Sequence, residues 1–516
     1  MTEAPEAPPA RRRASPRGVR SAGGPILRPL TRLDVPWDPV EVLSPDQVER
    51  VLDAAFRILE EAGLEIRGAE ARALFGRHGA LVDRETGLVR IGRDIVEAHL
   101  AHAPESFVLR ARNPARDLHV GGRVVNFGPV NGAPNVSDLA NGRRYGDIAA
   151  FRDILKVTHQ LGVLHWQGGV VVEPVDIPVP TRHLDMYLAH IECSDIVWAA
   201  RGVGGVQAAD AIAMSAIEHG CSVEELAARP TLLSVTNVNS PRRVDEEILA
   251  NIMTMAAAGQ CVVITPFTLM GAMAPVTMAG ALAQGTAEAL AIVTLCQMIR
   301  PGAPCVFGGF TSNVDMRTGA PTFGTPEYVQ ATLAIAQLAR RLKLPVRSSA
   351  PNASNCVDAQ AAYETAASLW ACVMSHSNLT MHACGWLEGG LVASMEKLIV
   401  DAEMLRGWAA AMRPIDVSDD ALAVDAVKAV PPGGHFFGEA HTLARFETAF
   451  HEPLLSDWSS HERWIENGSK DAATRASEIW RRLRDAWTPP PLDPAIREEL
   501  EAYAARRRRE IAEADA

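Results

Sequence analysis

Eight times between residues 124 and 390, a short run of β-branched and apolar residues is followed by a longer run with helical spacing. This alternation limits the possible folds more than any other feature of the chain. A strand that leads through a helix to a parallel neighbour is a βαβ unit, and eight in succession close into a parallel barrel sheathed by helices. The spacing predicts strands over 123–127, 163–173, 196–200, 231–236, 261–265, 305–310, 345–348 and 378–384. Helices are predicted near 147–161, 181–193, 206–219, 242–258, 278–299, 326–343 and 358–376. The expected fold class is therefore α/β, a (β/α)8 TIM-type barrel over 123–390, with its chemistry at the carboxyl ends of the strands.

The flanks read differently. Residues 1–24, rich in Pro, Ala and Arg, are expected to be a disordered tail. Residues 25–122 are expected to form a helical N-terminal cap with a small β element. Ser44-Pro45-Asp46-Gln47 starts its first helix as a capping box with proline at N1, and Gly63 ends it. Residues 391–516 are expected to be a helical extension, broken by the linker Pro431-Pro432-Gly433-Gly434.

A formal charge of −12 argues against a nucleic-acid partner, and the arginine runs Arg11–Arg13 and Arg506–Arg509 read as solvated tails or helix ends. Eight cysteines without a CxxC pair fit reduced core thiols in the cytoplasm. The longest apolar run, 277–299, carries Gln284, Glu288 and Gln297, which suits a buried barrel helix better than a membrane span. No membrane association is expected.

Acids and aromatics concentrate near the strand ends: Glu173, Asp358, Glu364 and Glu388, with Trp166, Phe267, Phe310, Tyr363, Trp370 and Trp386. Carboxylates beside ring faces suit a quaternary ammonium ion. The same residue types also serve as core and caps, and Asp358 stands where it can cap the helix that follows. His183 and His190 lie two helical turns apart, but no zinc-spaced ligand set, GxSxG elbow or Walker loop is present, so no catalytic metal is expected.

Several blocks occur together and in order: Gly285-Thr-Ala-Glu-Ala-Leu, Arg300-Pro-Gly-Ala-Pro, Phe307-Gly-Gly-Phe, Gly319-Ala-Pro-Thr-Phe-Gly-Thr-Pro-Glu, Asp358-Ala-Gln-Ala-Ala-Tyr-Glu, Gly433-Gly-His-Phe-Phe with His441-Thr, and the Pro-Pro-Pro-Leu-Asp493 tail. Over roughly residues 40–500 they resemble the trimethylamine methyltransferase family. The resemblance implies a methyl transfer from a methylated amine to cob(I)alamin on a separate corrinoid protein, with no cofactor held tightly by this chain. Original members carry pyrrolysine near the seventh or eighth strand. The run from Ser348 to Asp358 has only standard residues, which implies a quaternary amine such as glycine betaine, proline betaine or carnitine.

Within that frame Asp358, Glu364 and His382 are the catalytic candidates. Trp166, Glu173, Arg201, Asn237, Phe310, Arg347, Gln360, Tyr363, Trp386 and Glu388 are the substrate-binding candidates, with Arg201, Arg347 and Asn237 offered to a betaine carboxylate. A homo-oligomer is expected from the helix-rich ends. Two other readings remain open at this point: a barrel lyase using a Glu173–His382 acid/base pair, and a non-catalytic methylamine- or betaine-binding protein.

Overall fold

The computed structural model describes residue 29 and residues 32–514; the tail over 1–24 lies outside the described residues. Parallel strands β1 (Asn126–Pro129), β2 (Trp166–Gln167), β3 (Val197–Ala200), β4 (Leu233–Val238), β5 (Cys261–Met270), β6 (Cys305–Gly308), β7 (Val346–Ser349) and β8 (Leu379–Cys384) follow the order β1-β8-β7-β6-β5-β4-β3-β2. The ends of that order meet, because the His165 N–H donates to the Phe127 carbonyl at 2.9 Å and the Phe127 N–H to His165 Nδ1 at 3.1 Å. The expected eight-stranded barrel is the fold observed.

Helices α1 (Ile148–Leu161), α2 (Arg182–Cys193), α3 (Gly205–Glu218), α4 (Glu246–Ala257), α5 (Met278–Ile299), α6 (Pro326–Arg341), α7 (Ala359–Met374) and α8 (Met395–Ala411) surround the strands. Alternate strand residues divide between two cores, as the period of two requires. Trp198, Val262, Ile264, Phe307 and Val346 face the helices, while Trp166, Val197, Ala199, Leu233, Val263, Val306 and Met381 fill the interior.

The barrel does not end at residue 390. α8 packs on β8, α7 and α1 and completes the ring, so the expected boundary cut off the eighth helix. The sequence hides it behind Glu388-Gly389-Gly390, and its buried Glu396, Lys397 and Asp401 break the apolar stripe. The expected strand over 163–173 shrinks to Trp166–Gln167, since Gly168 and Gly169 leave the sheet directly after it.

One end of the barrel is sealed. A hairpin of Phe107–Leu109 with Leu118–Val120 places Leu109, Leu118 and Val120 in the interior core. Its backbone is held to the segments that enter β4 and β3: the Arg110 N–H donates to the Pro230 carbonyl at 2.8 Å and the Asn113 N–H to the Asp195 carbonyl at 3.0 Å. Only the carboxyl ends of the strands stay open.

Helices Pro45–Arg57, Ala69–Arg77 and Arg93–Leu100 pack outside α5. The first begins at the Ser44/Gln47 capping box and reaches Gly63, whose φ of 65° needs glycine. Covered by strands inside and helices outside, α5 is apolar around its circumference. Among the described residues it is the one helix long and apolar enough to cross a membrane, and 83% of its apolar window is buried in protein. At the far end, helix Ala472–Asp485 packs on α8 and α1, and helix Pro494–Ala514 on α2 and α3. The second of the arginine runs is accordingly a docked helix end, with Arg507 on Asp210 and Arg508 on Asp185, each at 2.7 Å.

Candidate active site at the open end of the barrel

Above the sealed floor the inward-facing positions turn small. Gly308 faces Thr265: a Cβ added at Gly308 would come within 2.7 Å of its Oγ1. Val235 and Asn237 point from the inner face of β4, yet Val235 is only half-buried and Asn237 is exposed, which marks an interior open to water at this end. Three inward side chains carry buried polar atoms with no partner: Trp166 Nε1, Thr265 Oγ1 and Arg347 Nε. Such atoms are uncommon in a folded interior.

Arg347 is the most costly of them. It is 2% exposed and, among the described residues, forms no ion pair within 4 Å. Its single hydrogen bond is a long one, Nη1 to the Gly309 carbonyl at 3.5 Å, and its guanidinium lies 5.4 Å from the Phe310 ring centroid. Burial pulls its pKa from 12.5 to about 10, still fully charged at neutral pH.

Phe310 stands at the centre of the aromatic residues. β5 runs past the barrel rim and pairs with strand Phe310–Val314, which folds back on Pro321–Thr322, raising a flap above the opening. Phe310 meets Phe267 at 5.1 Å, stacks on Phe323 at 5.4 Å, and meets Trp386 nearly perpendicularly at 6.3 Å. A cation held between facing rings needs them on the order of 9–12 Å apart, given about 6 Å at most to each centroid. The rings therefore form a wall against which a cation can rest.

His382 owes its orientation to an irregularity. The pairing of β8 with β1 shifts register between Thr380 and Cys384, and His382 takes a φ of 55°, rare for a residue with a Cβ. The ring lies 4.0 Å from that of Trp386, and its Nδ1 bonds Ser349 Oγ at 3.0 Å. Burial first, then the charge of Arg347, hold its pKa well below 6.5, so the imidazole is neutral at physiological pH. Among the described residues its Nε2 has no protein partner, and it is not sealed from solvent. Asn352 fixes the neighbouring indole: its Nδ2 donates to the Trp386 carbonyl at 2.7 Å, and Trp386 Nε1 donates to the Asn352 carbonyl at 3.0 Å. Below this turn Lys397 pairs with Asp401, whose other oxygen accepts the Gly385 N–H at 2.9 Å.

Of the sequence candidates, the structure assembles Phe310, Arg347, His382 and Trp386. Glu364 stands one layer behind them, accepting from the Ala353 N–H at 2.8 Å and from Gln360 Nε2 at 2.9 Å. The others do other work. Asp358 is exposed and caps α7, accepting from the Ala361 N–H at 3.1 Å. Tyr363 is 62% exposed and makes no ring contact. Glu388 pairs with Arg143 at 3.0 Å, and Trp166 is packed in the interior with Leu233, Val263 and Met381. Asn237 is free at the opening. Glu173 is held by Arg182 at 2.5 Å and Arg201 at 3.1 Å, which occupies both the acid and its arginine. Glu173 is committed to its two arginines and His382 Nδ1 to Ser349, and among the described residues no Glu173–His382 hydrogen bond joins them as the acid/base pair of a lyase. Phe323, in the Gly319–Glu327 block, and Ser349 and Asn352, in the run from Ser348 to Asp358, were not among the site candidates; the flap and the β8 bulge bring them to the site.

The histidines of α2 are core residues, His183 on Asp210 at 2.8 Å and His190 on the Gly169 carbonyl at 3.1 Å. No group of three metal-binding side chains occurs among the described residues. Asp117-Leu-His119-Val-Gly-Gly122 has the D-x-H-x-x-G spacing of cobalamin-ligating segments. Here Leu118–Val120 is a hairpin strand at the sealed end and Asp117 binds Arg110, so the spacing has no corrinoid role.

A family model described as trimethylamine methyltransferase (MTTB) matches residues 10–512. A glycine betaine methyltransferase of Desulfitobacterium hafniense (strain Y51) is 34% identical over 473 residues, covering 92% of this chain and 98% of that protein. A trimethylamine methyltransferase MttB of D. hafniense (strain DSM 10664 / DCB-2) is 28% identical, with 88% and 91% covered. The crystal structure of the Methanosarcina barkeri monomethylamine methyltransferase (MtmB) superposes with a TM-score of 0.50 at 11% identity, over 90% of this chain and 89% of that one, a likeness of fold alone. The chain belongs to the trimethylamine methyltransferase family.

Proposed function

We propose that this methyltransferase takes its methyl group from a betaine, a quaternary amine that also carries a carboxylate, and passes it to cob(I)alamin on a separate corrinoid protein docked at the open end. The observation behind the substrate class is Arg347, a buried cation with no carboxylate of its own beside the aromatic wall. A substrate carboxylate would complete its bonding, while the ammonium rests against Phe310, Phe267 and Trp386. Neither single feature selects a zwitterion; the two together do.

The chemistry needs little from the protein. When a methyl group leaves a quaternary nitrogen, both electrons of the carbon–nitrogen bond return to nitrogen and a neutral tertiary amine departs. No proton is consumed, which suits a neutral His382: it can orient substrate through Nε2 without acting as an acid. Because the cation disappears along the path, a one-sided wall of rings stabilises the starting charge less than a full cage would. In-line placement of the methyl carbon toward the opening is the main contribution left. Eight unpaired cysteines support a reducing cytoplasmic setting.

The test is spectroscopic. Purified chain, its corrinoid protein in the reduced state and a panel of amines are mixed, and conversion to methylcobalamin is followed. Glycine betaine or a related betaine is expected to react, and tetramethylammonium and trimethylamine much more slowly. Equal rates with tetramethylammonium would remove the carboxylate from the argument; binding of a betaine without methyl transfer would favour a sensor.

A further inference from the structure

Residues 413–453 leave the body of the protein. Their three short helices, Asp419–Leu422, Val424–Ala429 and Ala440–Leu443, bury no side chain at all. Their bonds close on themselves: Arg445 with Asp420, His441 Nε2 with the Asp420 carbonyl at 3.2 Å, Lys428 with Asp425 at 3.0 Å. Helices of four to six residues do not persist in water on their own. The segment nevertheless exposes ten large apolar side chains, among them Ile415 at 88%, Phe437 at 82% and Phe450 at 84%. At about 150–250 Å² for an aromatic side chain and less for an aliphatic one, they present on the order of 1,000 Å² of apolar surface. Pooled over the whole segment, that is comparable to the about 800 Å² per partner of a stable interface.

We infer that residues 413–453 are an arm that packs against a second copy of this chain. Three observations favour a copy over the corrinoid protein. α8 runs from the open end toward the floor, so the arm departs at the sealed end, whereas a methyl acceptor must face the opening. It returns midway along α8, where Glu403 Oε2 accepts the Leu454 and Leu455 N–H groups at 2.7 and 3.1 Å. The arm is also acidic, with seven Asp and Glu against three Arg and Lys. Helix Ala472–Asp485, which packs on α8, carries Arg481 and Arg482, and among the described residues neither is in an ion pair. Two copies related by a twofold axis lay each acidic arm over the other's arginine helix, and like faces meeting this way close the contact at a pair. The Gly433-Gly-His-Phe-Phe437 block, which the barrel site does not use, lies within this arm.

Sedimentation velocity and light scattering on the full chain at about 10 μM, a concentration suited to specific interfaces, test the arm. The wild type is expected at no less than twice the 55.5 kDa of one chain. A Phe437→Asp/Phe450→Asp double variant is expected at half the wild-type mass with unchanged circular dichroism, since both side chains are exposed in the single chain. Should that variant misfold, Arg482→Glu decides, with an expected tenfold or greater rise in the dissociation constant. A wild type of one-chain mass, an unchanged mass in the folded double variant, or an arm protected from hydrogen exchange only when the corrinoid protein is added would each overturn the inference.

Discussion

Replacing Arg347 with Met separates two effects that act in opposite directions. Folding brings this guanidinium into the barrel without a counter-charge, and the drop of its pKa from 12.5 to about 10 corresponds to about 3 kcal/mol at 1.36 kcal/mol per unit. The sign follows from the direction: a base whose pKa falls on folding weakens the folded state at every pH below the lowered value, so the penalty is complete at pH 7. Met keeps the length and apolar body of the side chain, so Arg347→Met is expected to raise stability by about 1–3 kcal/mol in urea unfolding. The same change removes the partner of a substrate carboxylate. Charge-assisted hydrogen bonds contribute about 1.5–3 kcal/mol each, so betaine affinity measured by calorimetry is expected to fall about 10- to 150-fold or more, while tetramethylammonium affinity holds or improves. A destabilised variant that binds betaine as the wild type does would refute the reasoning on both counts.

Glu364→Gln removes the carboxylate charge behind the aromatic wall and is expected to weaken binding of any quaternary amine about three- to tenfold with an unchanged melting temperature; equal affinity would take Glu364 out of the site. Lys397→Met strands Asp401 in the core beneath the Trp386 turn, at a cost of about 3–5 kcal/mol in urea unfolding, and adding Asp401→Leu is expected to restore most of it. No recovery in the double variant would show that packing, not charge, makes the pair sensitive. Burial lowers the pKa of His165 to about 3, and of His190 and His219 to about 4. Below pH 6.5 the unfolded chain therefore takes up protons that the folded chain refuses, and stability is expected to drop by about 2 kcal/mol per histidine at pH 5. A melting temperature flat from pH 7 to 5 would contradict that.

Periodicity made the barrel readable because strands buried on both faces are apolar throughout and helices are apolar on one face only. The same logic failed at α8, where Lys397 and Asp401 neutralise each other inside the core and imitate a surface helix. At the site, composition pointed to Phe310 and Trp386, and the family resemblance to Arg347 beside Arg201 and Asn237; what distinguishes Arg347 is the lack of a partner among the described residues, and a sequence does not display missing partners. His382 was legible as a histidine near a strand end. Its direction was not, since a β8 bulge and a left-handed backbone turn it inward. Tyr363 and Asp358 carry suitable chemistry on the wrong side of α7, one turned to solvent and the other spent on the helix end. The ring that stacks on Phe310 is Phe323, from a flap whose course no local pattern reveals.

The hairpin that plugs the barrel floor leaves a vessel with a single doorway. On the reaction proposed above, substrate, product and the protein that receives the methyl group would all use it. While that protein covers the opening, no amine can enter or leave, so traffic has a compulsory sequence: amine in, carrier on, carrier off, demethylated amine out. Excess carrier protein should then slow turnover by shutting the doorway on an empty chamber.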